Sequence, residues 1–142
     1  MKNYESFSEN DTFEIAKNIA KELKKGSIVC LDGDLGVGKT IFAKGFAKGL
    51  GIEDDITSPT FTLVQSYESL DNVLHHFDVY RISDESEMDE IGYEEYFFSD
   101  AICLIEWSSL IPDLIPENAI RISIEKDMKK GFDYRNINIE GI

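Results

Sequence analysis

The segment G-D-L-G-V-G-K-T, Gly33 to Thr40, follows the apolar run S-I-V-C-L. It satisfies the spacing G-x-x-x-x-G-K-S/T in full, with a strand-like run before it and a helix-like run after it. Glycines let the backbone curl until several N–H groups aim at one anion. The helix that follows adds its own free N–H groups and the positive end of its dipole. Lys39 brings a full charge to the β- and γ-phosphates of a nucleotide, and the Thr40 hydroxyl can ligate Mg²⁺. Asp34 cannot point into phosphates without repulsion, so it is expected to face outward or cap the turn. Lys44 and Lys48 read as ordinary solvated lysines of the same helix.

The flanking pattern predicts an α/β fold. Ser8 and Asp11 fit a capping box, and residues 11–25 place Ile15, Ala16, Ile19, Ala20 and Leu23 on one helical face. Lys24 and Lys25 suit a helix C-terminus, and Gly26 stops it. Residues 27–31 read as a fully buried strand, and residues 40–50 as a helix closed by Gly51. Residues 62–67 and 73–80 read as two strands pairing as a hairpin across Asp71-Asn72. The acidic stretch 83–96 reads as short helices around Gly92. Residues 101–105 form another buried strand, ending at Glu106. Pro112 and Pro116 bracket a loop or brief helix. Ile120, Ile122 and Ile124 alternate, as do Ile137 and Ile139, which predicts an antiparallel pair at a sheet edge. The whole reads as one P-loop NTPase domain over 1–142, with a mixed central sheet flanked by helices and antiparallel edge strands.

Composition removes several function classes. At 142 residues and 42% hydrophobic, the chain has room for one core and not for two catalytic domains. No run approaches the ~18 apolar residues of a membrane span. The opening M-K-N-Y-E-S-F-S-E-N-D has no apolar core of the signal-peptide kind, so the chain is expected in the cytoplasm. Cys30 and Cys103 sit in apolar runs and read as buried small hydrophobes, with no C-x-x-C pair and only two histidines to support a zinc site. A net charge of −14 repels nucleic acid backbone and anionic lipid. Any service to nucleic acid chemistry would run through a protein partner, although acidity also simply keeps a chain soluble.

A magnesium site needs carboxylates, and two stand at the ends of apolar runs. Glu106 ends A-I-C-L-I, where P-loop proteins place an acidic residue facing the metal. Its longer reach, compared with aspartate, suits a metal-bound water or the attacking water. The competing reading is a surface carboxylate at a strand end. Asp78, in H-H-F-D-V-Y-R, lies on a half-buried strand, where a bare carboxylate is costly unless paired or near a metal. Its competing reading is a salt bridge to Arg81. Ser58, Pro59 and Thr60 stand where switch-like loops sense a γ-phosphate, and a plain turn explains them equally. Trp107 reads as core or as a flat surface for a partner or ligand.

Three P-loop classes compete. A GTPase should carry N-K-x-D, which the chain lacks. A small-molecule kinase surrounds its phosphate with lid arginines, and here there are only Arg81, Arg121 and Arg135. A regulated ATPase needs only loop, carboxylates and a moving segment, and fits best. A nucleotide-gated adaptor without turnover stays open.

Taken together, G-D-L-G-V-G-K-T, S-P-T-F-T-L at 58–63, H-F-D-V-Y-R at 76–81, E-I-G at 90–92 and I-E-W at 105–107 resemble the TsaE (YjeE) family over nearly the whole chain. That family comprises bacterial P-loop ATPases of tRNA N6-threonylcarbamoyladenosine formation. The resemblance implies ATP/ADP and Mg²⁺ as cofactors and slow intrinsic hydrolysis. It also implies association with the two-subunit threonylcarbamoyl-transferring enzyme of the TsaD/TsaB type, with direct tRNA contact absent or secondary. By the same resemblance, Asp34, Leu35, Gly36, Val37, Gly38, Lys39 and Thr40, with Thr12, contact nucleotide. Thr40 and Glu106 hold the metal, Lys39, Asp78 and Glu106 serve catalysis, and Ser58, Pro59, Thr60 and Trp107 serve the switch or partner. Three departures are visible: Val37 for a frequent alanine, Val79 for leucine, and Ser108 for proline, the last expected to loosen the loop after Trp107.

Overall fold

A computed structural model describes residues 2–34, 36–59 and 61–142. In chain order the strands are β1 (Lys2–Ser6), β2 (Ile28–Asp32), β3 (Val64–Glu68), β4 (Val73–Asp78), β5 (Ile102–Glu106), β6 (Ile120–Lys126) and β7 (Arg135–Glu140). The helices are α1 (Glu9–Lys21), α2 (Lys39–Gly49), α3 (Ser86–Glu90) and α4 (Tyr93–Phe97), with 3₁₀ turns at Ser108–Leu110 and Pro112–Leu114. One sheet forms in the order β1-β7-β6-β2-β5-β4-β3. β2, β4, β5 and β6 run parallel, while β3, β7 and β1 pair antiparallel at the two sides.

β2 lies in the middle because both its faces are apolar. Val29 and Leu31 join the core under α1 and α2, and Ile28 and Cys30 join a second core with Met88 of α3 and Phe97 of α4. Burial without a charged neighbour pushes the Cys103 thiol up to about 12, so this cysteine behaves as the small hydrophobe its apolar run predicts.

Helix α1 starts two residues earlier and stops four residues sooner than its apolar face predicts. Ser8 is the N-cap, accepting from the Asp11 amide at 3.0 Å. The Asp11 carboxylate reaches back past Ser8 to the Phe7 amide at 2.9 Å. Lys24 and Lys25 lie outside the helix, because residues 22–27 are used to turn the chain into β2. There the Gly26 amide donates to the Asp100 carbonyl at a φ of +85°.

The hairpin of β3 and β4 forms as expected, with shorter strands. Before it, the Leu63 amide turns back to the Pro59 carbonyl at 2.8 Å; after it, Val79 turns toward the Glu106 carbonyl. The C-terminal pair is antiparallel as expected, but it is not the edge of the sheet. β1 pairs outside β7, tied by the Asn3 side chain to Asn136 and Asn138. Its sequence K-N-Y-E-S is too polar to announce a strand.

Helices α1 and α2 meet unusually closely. A Cβ at Gly45 would stand 2.2 Å from the Phe13 carbonyl oxygen, and one at Gly49 2.3 Å from that of Lys17. Gly45→Ala therefore sets a helix-propensity gain of about 1 kcal/mol against overpacking of about 1–3 kcal/mol, and the obstacle is a backbone carbonyl that cannot rotate away. Net destabilisation is expected, read as a lower urea midpoint at unchanged slope; a higher midpoint would show that the helices separate freely.

Candidate functional site

The glycine loop bridges the end of β2 and the start of α2, at the C-terminal side of the parallel strands. Ligands of open α/β sheets bind on that side. Gly33 has no room for a side chain: a Cβ would meet Val37 Cγ1 at 2.7 Å and the Ile124 carbonyl at 2.9 Å. Val37 is buried against it, and the Arg135 Nε–H donates to the Val37 carbonyl at 2.7 Å, which pins the loop from β7. Gly38 caps α2 at a φ of +108°, and no side chain bonds the helix N-terminus. Nothing lies within 4 Å of a Cβ placed on Gly36 or Gly38, so the outer side of the loop is open. Asp34 is exposed, as its charge requires. Leu35 and Thr60 lie outside the described residues.

Among the described residues, a cavity of about 640 Å³ lies against Asp32, Gly33, Asp34 and Val37, and two smaller ones also flank this loop. One, of about 240 Å³, is lined by Thr12, Gly36, Gly38, Ile41, Phe132 and Arg135. The other, of about 220 Å³, is lined by Asp32, Gly33, Asp34, Lys39, Trp107 and Ser109. Thr12 thus reaches the loop from α1, with its hydroxyl 2.7 Å from that of Ser6. Thr40, at the second position of α2, is exposed.

Lys39 is 7% exposed. Its Nζ donates to the Gly33 carbonyl at 2.8 Å and sits 3.9 Å from the centroid of the Trp107 ring. Burial pushes its pKa below the usual lysine value, against the opposing pull of Glu106, Asp78, Asp32 and Asp34. The carboxylates gather because strands β2, β4 and β5 end together: Asp78 stands opposite Glu106, and Glu106 opposite Leu31.

Glu106 is 6% exposed, which removes its reading as a surface carboxylate. Its Oε2 lies 2.6 Å from His76 Nε2. Asp78 is likewise buried; Oδ1 accepts from the Tyr80 amide at 3.0 Å and Oδ2 from the Ser58 hydroxyl at 3.3 Å. The segment holding Ser58 and Pro59 is thereby tied to the acid. Arg81 places its guanidinium 4.5 Å from the centroid of the exposed Phe61 ring.

Trp107 is neither plain core nor a free platform. Its backbone sits at a φ of +64°, its ring packs 4.7 Å from that of Tyr80, and its face covers Lys39. The loop after it is held in a way that proline could not supply. Ser108 is buried and its hydroxyl donates to Asp32 at 3.4 Å.

His76 and Asp32 are the site residues to which sequence reasoning gave no role. A signal for His76 existed. It precedes Asp78 by two on one strand, so the two share a face, and two polar groups on a buried face need a joint reason. For Asp32, next to an already acidic loop, no signal stood out.

Among the described residues no three His, Cys, Asp or Glu side chains gather as a metal cage. The donor set suits a polyphosphate: an open cradle, an uncapped helix start and an ammonium with hydrogens to spare.

A family model described as "Threonylcarbamoyl adenosine biosynthesis protein TsaE" matches residues 6–137. The chain belongs to the TsaE family. It is 43% identical over 132 residues to a Bacillus subtilis protein named tRNA threonylcarbamoyladenosine biosynthesis protein TsaE, covering 93% of this chain and 80% of that relative. A Treponema pallidum protein of the same name is 40% identical over 119 residues, covering 84% and 87%. The crystal structure of Bacillus subtilis YdiB superposes with a TM-score of 0.82 at 36% identity, covering 97% of this chain and 83% of that one. In this TsaE-family fold, a single α/β domain with a mixed seven-stranded sheet, Lys39, Asp78, Glu106 and Trp107 gather beside the glycine loop together with His76 and Asp32.

The electrostatics carry a sign that can be measured. Lys39 has a lower pKa folded than unfolded, so its burden on stability is full below the folded pKa and is relieved as pH rises from there toward the unfolded value. Glu106 exerts the largest opposing pull among the nearby charges. Glu106→Gln removes that pull and is expected to lower the Lys39 pKa further, read from the Lys39 ¹³Cε shift during a pH titration; an unchanged or higher value would refute the coupling.

Proposed function

We propose that this chain binds ATP with Mg²⁺ at the glycine loop and hydrolyses it weakly alone and faster with a partner. The partner is the two-subunit threonylcarbamoyl-transferring complex of the TsaD/TsaB type, and the process served is tRNA N6-threonylcarbamoyladenosine formation. The observation that carries the reading is the largely buried Lys39, whose ammonium lines a cavity at the head of an uncapped helix and beside Asp78 and Glu106. A buried cation among carboxylates is a poor stabilising device and a good receptor for an anion that arrives with its own metal. The family to which the chain belongs and the names of its relatives supply the process.

Each residue then has a task. Backbone amides of Gly36, Val37, Gly38, Lys39 and Thr40 face the phosphates, with Asp34 and Leu35 contributing main chain only. Lys39 has three N–H donors, and Gly33 takes one, which leaves two for phosphate oxygens. Thr12 and the open Phe132 ring line the cavity beside the loop, a place for the rest of the nucleotide. Thr40 and Glu106 would hold Mg²⁺, which when bound offsets charge on the terminal phosphate and the departing diphosphate. Glu106 orients water. Asp78 holds Ser58 at the start of the Ser58-Pro59 segment, so that occupancy of the site reaches the exposed Phe61. Trp107 excludes water from Lys39 and carries the partner's signal into the site. The acidic surface, at −14, favours a protein partner over direct contact with tRNA. Among the described residues no helix is long and apolar enough to cross a membrane.

Lys39→Ala is expected to weaken ATP binding by about 10–100-fold, the worth of one or two charge-assisted hydrogen bonds, while leaving the fold intact. Calorimetry with ATP and Mg²⁺ measures it, and unchanged affinity would defeat the loop assignment. The activity is tested by phosphate release with the partner pair and tRNA. Free phosphate that rises with the partner supports the ATPase; a phosphorylated metabolite identifies a kinase. Repeated tRNA modification on a non-hydrolysable analogue identifies an adaptor.

A further inference from the structure

We propose that His76 is a positioning residue that clamps the Glu106 carboxylate in its working orientation. The inference deepens the reading of Glu106 above and rests on it. His76 and Asp78 alternate on β4, and Asp78 stands opposite Glu106 in the parallel pairing with β5. The imidazole therefore lies diagonally across from Glu106 on the α1 and α2 face of the sheet. His76 is 2% exposed and Glu106 6%, and their contact at 2.6 Å is short enough to be a charge-assisted hydrogen bond.

The other ring nitrogen decides what the histidine is for. Nδ1 is buried and has no hydrogen-bond partner among the described residues. A hydrogen there would have no acceptor, so the ring hydrogen sits on Nε2 and is given to Glu106. The bare Nδ1 is an expense that a leucine or phenylalanine would avoid while filling the same space. What an imidazole adds at this position is the Nε2–H. Glu106 has three side-chain torsions, and its site gains from a long reach only if those torsions are fixed. The bond fixes Oε2 and leaves Oε1 for metal or water. Partners that orient a ligating group in this way typically matter about 10–100-fold in metal affinity or activity.

The test uses the full chain with its partner pair, in wild type, His76→Leu and His76→Gln. Leucine keeps bulk and removes the donor; glutamine restores an N–H near the position of Nε2. His76→Leu is expected to keep ADP affinity within about twofold, because the phosphate cradle is untouched, and to lose about tenfold or more in kcat at unchanged KM for ATP. His76→Gln is expected to recover most of that loss. In the nucleotide-free wild type, a slowly exchanging downfield imidazole N–H resonance is expected, absent in Glu106→Ala. His76→Leu turning over like wild type would overturn the proposal, as would equal losses in two folded variants, which would mean that ring volume alone matters. Should the leucine variant not fold, the glutamine variant and the resonance still decide. The two readings fail separately: no phosphate release from wild type strikes the ATPase, whereas no such resonance in the nucleotide-free protein strikes the clamp.

Discussion

Lys39 is largely buried, and what surrounds its ammonium organises the rest of the site. Desolvation pulls its pKa below the usual lysine value, and four carboxylates pull the other way. Two of them, Asp78 and Glu106, are themselves buried, so the sheet must deliver three charged groups to one place at once. It does so by ending β2, β4 and β5 in register, where each strand gives up its pairing and turns away. The loop after β2 supplies the cation and the strand ends supply the anions. α1 locks the cation's helix from behind through the bare backbone of Gly45 and Gly49. Charge placement, strand register and helix contact are thus one arrangement.

What could be read in advance follows from how local each signal is. The loop is written in eight consecutive residues, with its strand and helix directly flanking them, because the phosphate cradle is made of backbone and needs only glycines, a lysine and a hydroxyl. The buried strands declared themselves through unbroken Ile, Val and Leu runs. Boundaries slipped where tertiary needs took over: Lys24 and Lys25 fit a helix end by charge, yet the chain needed those residues to turn into β2. β1 stayed hidden because an edge strand with only Tyr4 and Ser6 facing inward carries almost no apolar signal. The same limit hid the partnership of His76 with Glu106. Its residues lie thirty apart and meet only through the β4–β5 register.

The departures from the family pattern are absorbed by local chemistry. Val37, in place of alanine, spends its extra methyl groups against Gly33, where a Cβ would already collide with Val37 Cγ1. Ser108, in place of proline, loses a rigid φ but gains a hydroxyl directed at Asp32. A hydrogen bond to Asp32 thus stands where ring closure would otherwise limit the turn after Trp107.

Backbone strain marks the same spot by an independent route. Leu63 and Trp107 are the non-glycine residues with positive φ among those described, at +67° and +64°. Each left-handed residue costs about 1–2 kcal/mol, which glycine would avoid. Both flank the acid pair: the Leu63 carbonyl accepts from the Asp78 amide at 2.9 Å, and Trp107 directly follows Glu106. A glycine at 107 would relieve the backbone and uncover Lys39, exposing the ammonium to water and surrendering the cation–π contact. The strain therefore has a return, a dry ammonium beside two fixed carboxylates. Among the described non-glycine residues, left-handed backbone is held at both ends of this one charged cluster, which supports its reading as a ligand site.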